Sequence, residues 1–265
     1  MEPEEIAWTK ELIAAYDNGK GDYDSEERAL YLFSKIEIVQ TAIVSKGNLK
    51  KGIKRLKRYA KVKKKYALDK YDVATCMNFA DEKFPGIFHT CSPGSGSKLE
   101  GSTSIAMHYA EFVPSVIRTK EDWCLMVKFF VTLMDAATCT LEHMRKGVNF
   151  VSNCNGFGWK NFSLDMERKM ADVYQDAYPM KIKSMIVVDL PWFMTAMVKL
   201  VKVFLKPKLA QRIKLISKDV LLTDFFQTHE LPTCMGGTHR ADFREWMLER
   251  LEARKTLSAS IDKAF

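Results

Sequence analysis

Residues 178–206 read YPMKIKSMIVVDLPWFMTAMVKLVKVFLK, a strand followed at once by an unusual helix. Ile182 to Val188 is rich in β-branched residues and predicts a strand. Pro191 suits a first helical position, and the spacing predicts a helix over 191–205. On that helix Thr195, Lys199, Lys202 and Lys206 form one narrow polar stripe. Phe193, Met197, Leu200, Val201 and Phe204 lie opposite, and most of the remaining circumference is apolar. Two arrangements satisfy such a helix: full burial in a core, or a cavity on one side and intermittent contact with a membrane on another.

Upstream, Val148 to Asn153 reads as a strand and Asp165 to Ala177 as a helix. Further back, Ser104 to Tyr109 reads as a strand and Glu121 to Lys146 as one long helix. Downstream, 207–216 reads as helical, and Asp242 to Arg254 as an amphipathic helix on the outside. Strands alternating with longer helices predict an α/β fold with a mostly parallel sheet and crossover helices. Residues 1–75 have a different texture. Glu4 to Tyr16 and Glu26 to Val44 suit helices separated by the turn-rich 17–21. Asn48 is placed to cap a third helix carrying Leu49, Ile53, Leu56 and Ala60 on one stripe.

Enzyme motifs fail one by one. Gly94-Ser-Gly96-Ser-Lys98 lacks phosphate-loop spacing. Gly156-Phe-Gly158 follows a strand, but Asn161 stands where a dinucleotide fingerprint needs its third glycine. No G-x-S-x-G elbow or H-E-x-x-H pair is present, and the five histidines are scattered. The six cysteines form no C-x-x-C pair and no zinc pattern, so neither metal nor catalytic residues are expected. The opening MEPEE has no apolar stretch of a signal peptide, so a cytoplasmic protein with reduced thiols is expected. The best candidate span, Ser184 to Val198, is broken by Asp189 and Pro191.

The net charge is +8, but residues 46–65 hold eleven of the 41 Lys and Arg and no acid. The rest of the chain is near neutral. That segment fits a solvated helix face, a nucleic-acid patch or a membrane-surface patch. No aromatic stacking platform accompanies it, which argues against nucleic acid.

Four motifs in order resemble the CRAL-TRIO family: GVNFVSNCNG (147–156), YPMKIK (178–183) with IVVDLPW (186–192), FLKPKLAQRI (204–213) and LPTCMGG (231–237). The resemblance implies a small helical domain over 1–80 and a CRAL-TRIO lipid-binding domain over 81–265. It implies a sheet as pocket floor, a mobile lid over 191–205, and no cofactor beyond a bound hydrophobic lipid. The family's branch containing the α-tocopherol transfer protein and the cellular retinaldehyde-binding protein is the most similar. In the phosphatidylinositol-transfer branch a Glu stands where this chain has Met180, and a later lysine falls at Asp219. The usual D-x-x-G turn here reads Asn153-Cys-Asn-Gly156.

Val127, Phe130, Val131 and Met134 can share a helix face; Val148 and Phe150 share a strand face, as do Met185 and Val187. The resemblance implies that these line the pocket with Val173, Tyr174, Tyr178, Met180, Met194, Met197 and Val201. Lys181 and Lys183 point the same way on a strand, and Lys208 and Arg212 share a face of the expected helix. The resemblance implies that the four bind a phosphoinositide head group where the carrier meets a membrane. The expected function is transfer of a tocopherol, retinoid, carotenoid or similar isoprenoid, without enzymatic activity. The alternatives are phospholipid or phosphoinositide exchange, or a scaffold whose pocket is filled by side chains.

Overall fold

A computed structural model describes residues 1–17, 33–69, 71–94, 97–175 and 177–265. Four helices come first: α1 (Pro3–Asp17), α2 (Lys35–Ser45), α3 (Leu49–Tyr66) and α4 (Val73–Lys83). The starts of α3 and α4 are set by capping side chains, which satisfy orphan backbone N–H groups. Asn48 accepts from Lys51 N at 2.9 Å, and Asp72 from Thr75 N at 2.8 Å. The expected helix start at Glu26 and nearly all of the 17–21 turn lie outside the described residues; α2 is seen from Lys35. The α3 stripe buries Gly52, Leu56, Tyr59, Lys63 and Tyr66. The buried Lys63 pairs with Glu37 at 2.6 Å, between the rings of Phe33 and Tyr59.

Then come β1 (Phe88–Cys91), β2 (Thr103–His108), α5 (Lys120–Ala137), α6 (Leu141–Lys146), β3 (Val148–Asn153), α7 (Leu164–Tyr174) and β4 (Ile182–Val188). The chain ends with α8 (Thr195–Phe204), α9 (Pro207–Ala210), β5 (Ile213–Ile216), α10 (Lys218–Asp224) and α11 (Phe243–Ala264). The five strands lie in sequence order, β1 antiparallel to β2 and the rest parallel. Right-handed crossovers between successive parallel neighbours carry their helices to one face of the sheet. On that face Ile105, Val148, Phe150 and Met185 meet the main core. On the other, Ala106, Val151, Ile186 and Val188 pack under Leu221, Phe225, Phe226 and Leu231. Gly147 allows β3 to start beside β4: at φ +92°, a Cβ there would lie 2.4 Å from the Lys181 carbonyl oxygen.

Several expectations need correction. The helix predicted over 121–146 is two helices. Thr138 turns its hydroxyl back to Met134 O at 2.7 Å, and Thr140 caps α6 by accepting from His143 N at 3.2 Å. The helix predicted over 207–216 stops at Ala210, because Ile213 to Ile216 adds an edge strand to β4. Lys208 and Arg212 therefore share no helix. The helix predicted over 242–254 continues to Ala264 and is not merely external; Met247, Arg254 and Ile261 are buried. β1, α4 and α10 had no counterpart in the sequence reading, and the 80/81 division falls within α4.

Candidate functional site

Between α5, α7 and the helix-covered face of the sheet lies a cavity of about 180 Å³. α5 contributes Met126, Phe129, Phe130 and Leu133, a helical face at i, i+3, i+4 and i+7. α7 contributes Met166, Glu167, Met170 and Tyr174, again one face. The strands supply Phe88, Met107, Phe150, Ser152, Ile182 and Met185, and Phe84, Tyr109 and Phe112 close the end near β1. Aromatic contacts stiffen that end: Phe84 and Phe112 are 5.4 Å apart between centroids, and Tyr109 stacks on Phe112 at 5.5 Å. Five of the lining residues are methionines, whose flexible side chains can withdraw.

Of the residues expected to line a pocket, Phe130, Phe150, Tyr174 and Met185 do so here. Val127, Val131, Met134, Val148, Val173, Tyr178 and Met180 are instead packed in the main core and absent from the cavity wall. The cavity face of α5 is turned from the expected one by about one residue. Both stripes are apolar because α5 also packs against α4 and α11, so periodicity alone could not choose between them. Tyr178 donates to Asp135 Oδ1 at 2.5 Å, which fixes it in a buried polar network. Val187, Met194 and Met197 form a separate cluster with Cys154 and Phe157 beneath the start of α8. Val201 is partly buried against the main core.

The comparison with known proteins turns on this region. A CRAL/TRIO domain is matched over residues 95–237, more than half of the chain. This chain belongs to the CRAL/TRIO family. Tyrosine-protein phosphatase non-receptor type 9 of Mus musculus, of Homo sapiens and of Rattus norvegicus is each 27% identical over 119 residues, 45% of this chain. The chain spans about a fifth of the length of those relatives. The crystal structure of Sfh5 superposes with a TM-score of 0.55 at 12% identity, covering 97% of this chain and 98% of that one. That likeness supports the fold.

In this CRAL/TRIO domain α8 is the least enclosed apolar helix. Apart from Met194 in the turn before it, none of its residues is buried. Trp192 is 86% exposed and Val203 75%, with Phe193 and Leu200 also exposed. Trp159, 63% exposed, lies 6.3 Å from Phe193 between ring centroids. At its far end α8 is held by Gln175, which donates to Phe204 O at 3.0 Å and accepts from Lys206 N at 2.8 Å. Among the described residues, no helix is long and apolar enough to cross a membrane, and no group of His, Cys, Asp and Glu is gathered to hold a metal.

The cations of the CRAL/TRIO domain are regrouped by the sheet. Lys146, Lys181 and Arg212 each stand just before a parallel strand, so the strand starts bring them side by side. Burial lowers the Lys181 pKa, and Lys46, Arg212 and Lys146 lower it further. Burial likewise lowers that of Lys183, assisted by Lys146 and Lys181. Their ammonium groups rest on backbone: Lys181 donates to Arg145 O at 3.1 Å and Lys183 to Lys98 O at 3.0 Å. Arg212 donates to Ile182 O. Lys208 is exposed on α9 and is absent from the charges that shift Lys181 and Lys183. Lys46 opens the basic segment 46–65 but was not expected beside Lys181, and Lys146 was not singled out; nothing local distinguishes it from other surface lysines.

Proposed function

We propose that this chain carries one neutral hydrophobic molecule, of tocopherol, retinoid, carotenoid or other isoprenoid type, and exchanges it at membranes. The observation that carries this reading is the apolar cavity, lined in part by α7; α8, which packs on α7 without itself lining the cavity, leaves large apolar side chains in water. Ligand sites usually occupy about 300–1,000 Å³, so the cavity must widen from its 180 Å³ as the methionines withdraw. Opening α8 would expose more apolar surface, at about 25 cal/mol per Å², unless a bilayer receives it. Residues 1–80 are the helical companion and 81–265 the lipid-binding unit, with α4 bridging them. The reading is a carrier rather than an enzyme, and among the described residues no Cys, His, Lys or Arg lines the cavity. Met180, buried in the core, and Asp219, exposed on α10, offer no head-group pair for a phospholipid exchanger. The proposed ligand class follows from the resemblance to the α-tocopherol transfer protein and cellular retinaldehyde-binding protein branch. Solvent extraction of the purified protein followed by mass spectrometry should find a neutral lipid near one per chain. A phospholipid would make it an exchanger, and an empty extract a scaffold.

Gln175 gives the gating part of this reading a direct test. Its two hydrogen bonds latch the end of α8, and Gln175→Ala removes both. At about 0.5–1.5 kcal/mol each, their loss should speed ligand release to acceptor vesicles by about 5- to 150-fold. An unchanged release rate would place the gate elsewhere.

A further inference from the structure

The cavity wall is not uniformly apolar. Glu167 and Tyr174 stand seven residues apart on one face of α7, and Ser152 and Tyr109 bring hydroxyls to the same space. Tyr109 donates to Glu167 Oε1 at 2.5 Å. Among the described residues, the second carboxyl oxygen of Glu167 and the hydroxyls of Tyr174 and Ser152 have no hydrogen-bond partner. Glu167, Tyr174 and Ser152 are half-buried and these atoms keep accessible surface; a ligand that covered them without a partner would incur a desolvation cost, so ligand sites place such groups where they meet a ligand.

The chemistry of that partner is constrained. Among the described residues no lysine, arginine or histidine lines the cavity, so an anionic head group would enter beside a carboxyl group with no counter-charge from them. A purely hydrocarbon ligand would leave the three polar groups unsatisfied. A hydroxyl satisfies them, because it can both donate and accept. We infer that Glu167, with Tyr174 and Ser152, is the docking point for the single hydroxyl of a neutral lipid alcohol. Burial raises the Glu167 pKa against the opposing pull of the Tyr109 bond. Tyr109 is a positioning residue: its bond fixes the carboxyl so that one oxygen stays free for the ligand.

This inference rests on the carrier reading, and three probes with one common tail separate the two. Delipidated protein is titrated with hexadecanol, hexadecyl methyl ether and palmitate, using competition against radiolabelled hexadecanol in gel filtration and direct binding of labelled ether and acid. Wild type should bind the alcohol at least tenfold more tightly than either the ether or the acid. Glu167→Leu should bring alcohol and ether within about twofold, with ether affinity kept as the check on folding. Glu167→Gln, which retains hydrogen-bonding capacity, should keep the alcohol preference. Equal binding of alcohol and ether by wild type, a preference for palmitate, or an alcohol preference that survives Glu167→Leu would overturn the inference while leaving the carrier. Binding of none of the three would remove the carrier reading and the docking point together.

Discussion

Arg254→Met should destabilise the protein by about 3–5 kcal/mol, the range for breaking a buried ion pair from one side. Arg254 is only 7% exposed. Its Nη2 forms an ion pair with Asp135 Oδ1 at 2.9 Å and donates to Gln40 Oε1 at 2.8 Å, and its Nη1 donates to Thr138 O at 3.1 Å. One guanidinium thus ties α2, the end of α5 and α11 together, and joins the N-terminal helices to the C-terminal one. Burial already raises the Asp135 pKa, with Arg254 and the Tyr178 hydroxyl opposing it. Without Arg254 the carboxylate keeps Tyr178 but loses its counter-charge. Urea unfolding followed by circular dichroism measures the loss. Arg254→Met combined with Asp135→Leu should recover part of it, because no uncompensated charge is left behind. A loss under about 1 kcal/mol in the single variant would mean that water replaces the guanidinium and the junction is held by apolar packing.

Removing four charges from the cation cluster should weaken binding to vesicles containing phosphatidylinositol bisphosphate by several hundredfold. The variant is Lys46→Ala, Lys146→Ala, Lys181→Ala and Lys183→Ala, and each cation near an anionic surface contributes about 1 kcal/mol. Lys46, Lys146 and the Lys181/Lys183 pair come from three parts of the chain and meet where parallel strands begin. Among the described residues none is ion-paired, so their charge is free to meet phosphate. Arg212 is left in place because it also supports the Ile182 carbonyl. Lys208→Ala alone should cost no more than about fivefold, since Lys208 stands apart on α9. Cosedimentation with such vesicles at two ionic strengths checks both; wild-type binding should fall as salt rises. Affinity for the carried lipid should not change. A loss below about tenfold in the fourfold variant would move the docking surface to the lysine-rich exposed face of α3.

Much of the architecture was legible because it is written locally. The β-branched run from Ile182 to Val188 and the 3.6-residue spacing of α3 and α7 each lie within a few turns of chain. β1 and β5 escaped notice because four-residue strands carry too little periodicity, and β5 becomes a strand only by pairing with β4. α5 shows the deeper limit. Its spacing says which side chains share a face, but its circumference is apolar enough that only α4, α11 and the sheet decide which face meets the cavity.

The candidate site divides along the same line. The inverted composition of α8 marked it as unusual before any coordinates, since a helix with one lysine stripe must find apolar company on several sides. Glu167 gave no such sign. It precedes Arg168 and Lys169 and reads as an ordinary solvated position; Tyr109, 58 residues away, makes it part of a cavity wall. Lys146, Lys181 and Arg212 are likewise unremarkable until the sheet aligns the residues before its strands. By itself the sequence determined most of the longer elements, the family resemblance and the unusual composition of α8, because those depend on neighbours in the chain. Tertiary structure alone decided which faces enclose the cavity, which charges cluster and which polar groups line the wall. Burial and electrostatic fields depend on distance in space, and spacing along one element cannot encode what a distant element will bring against it.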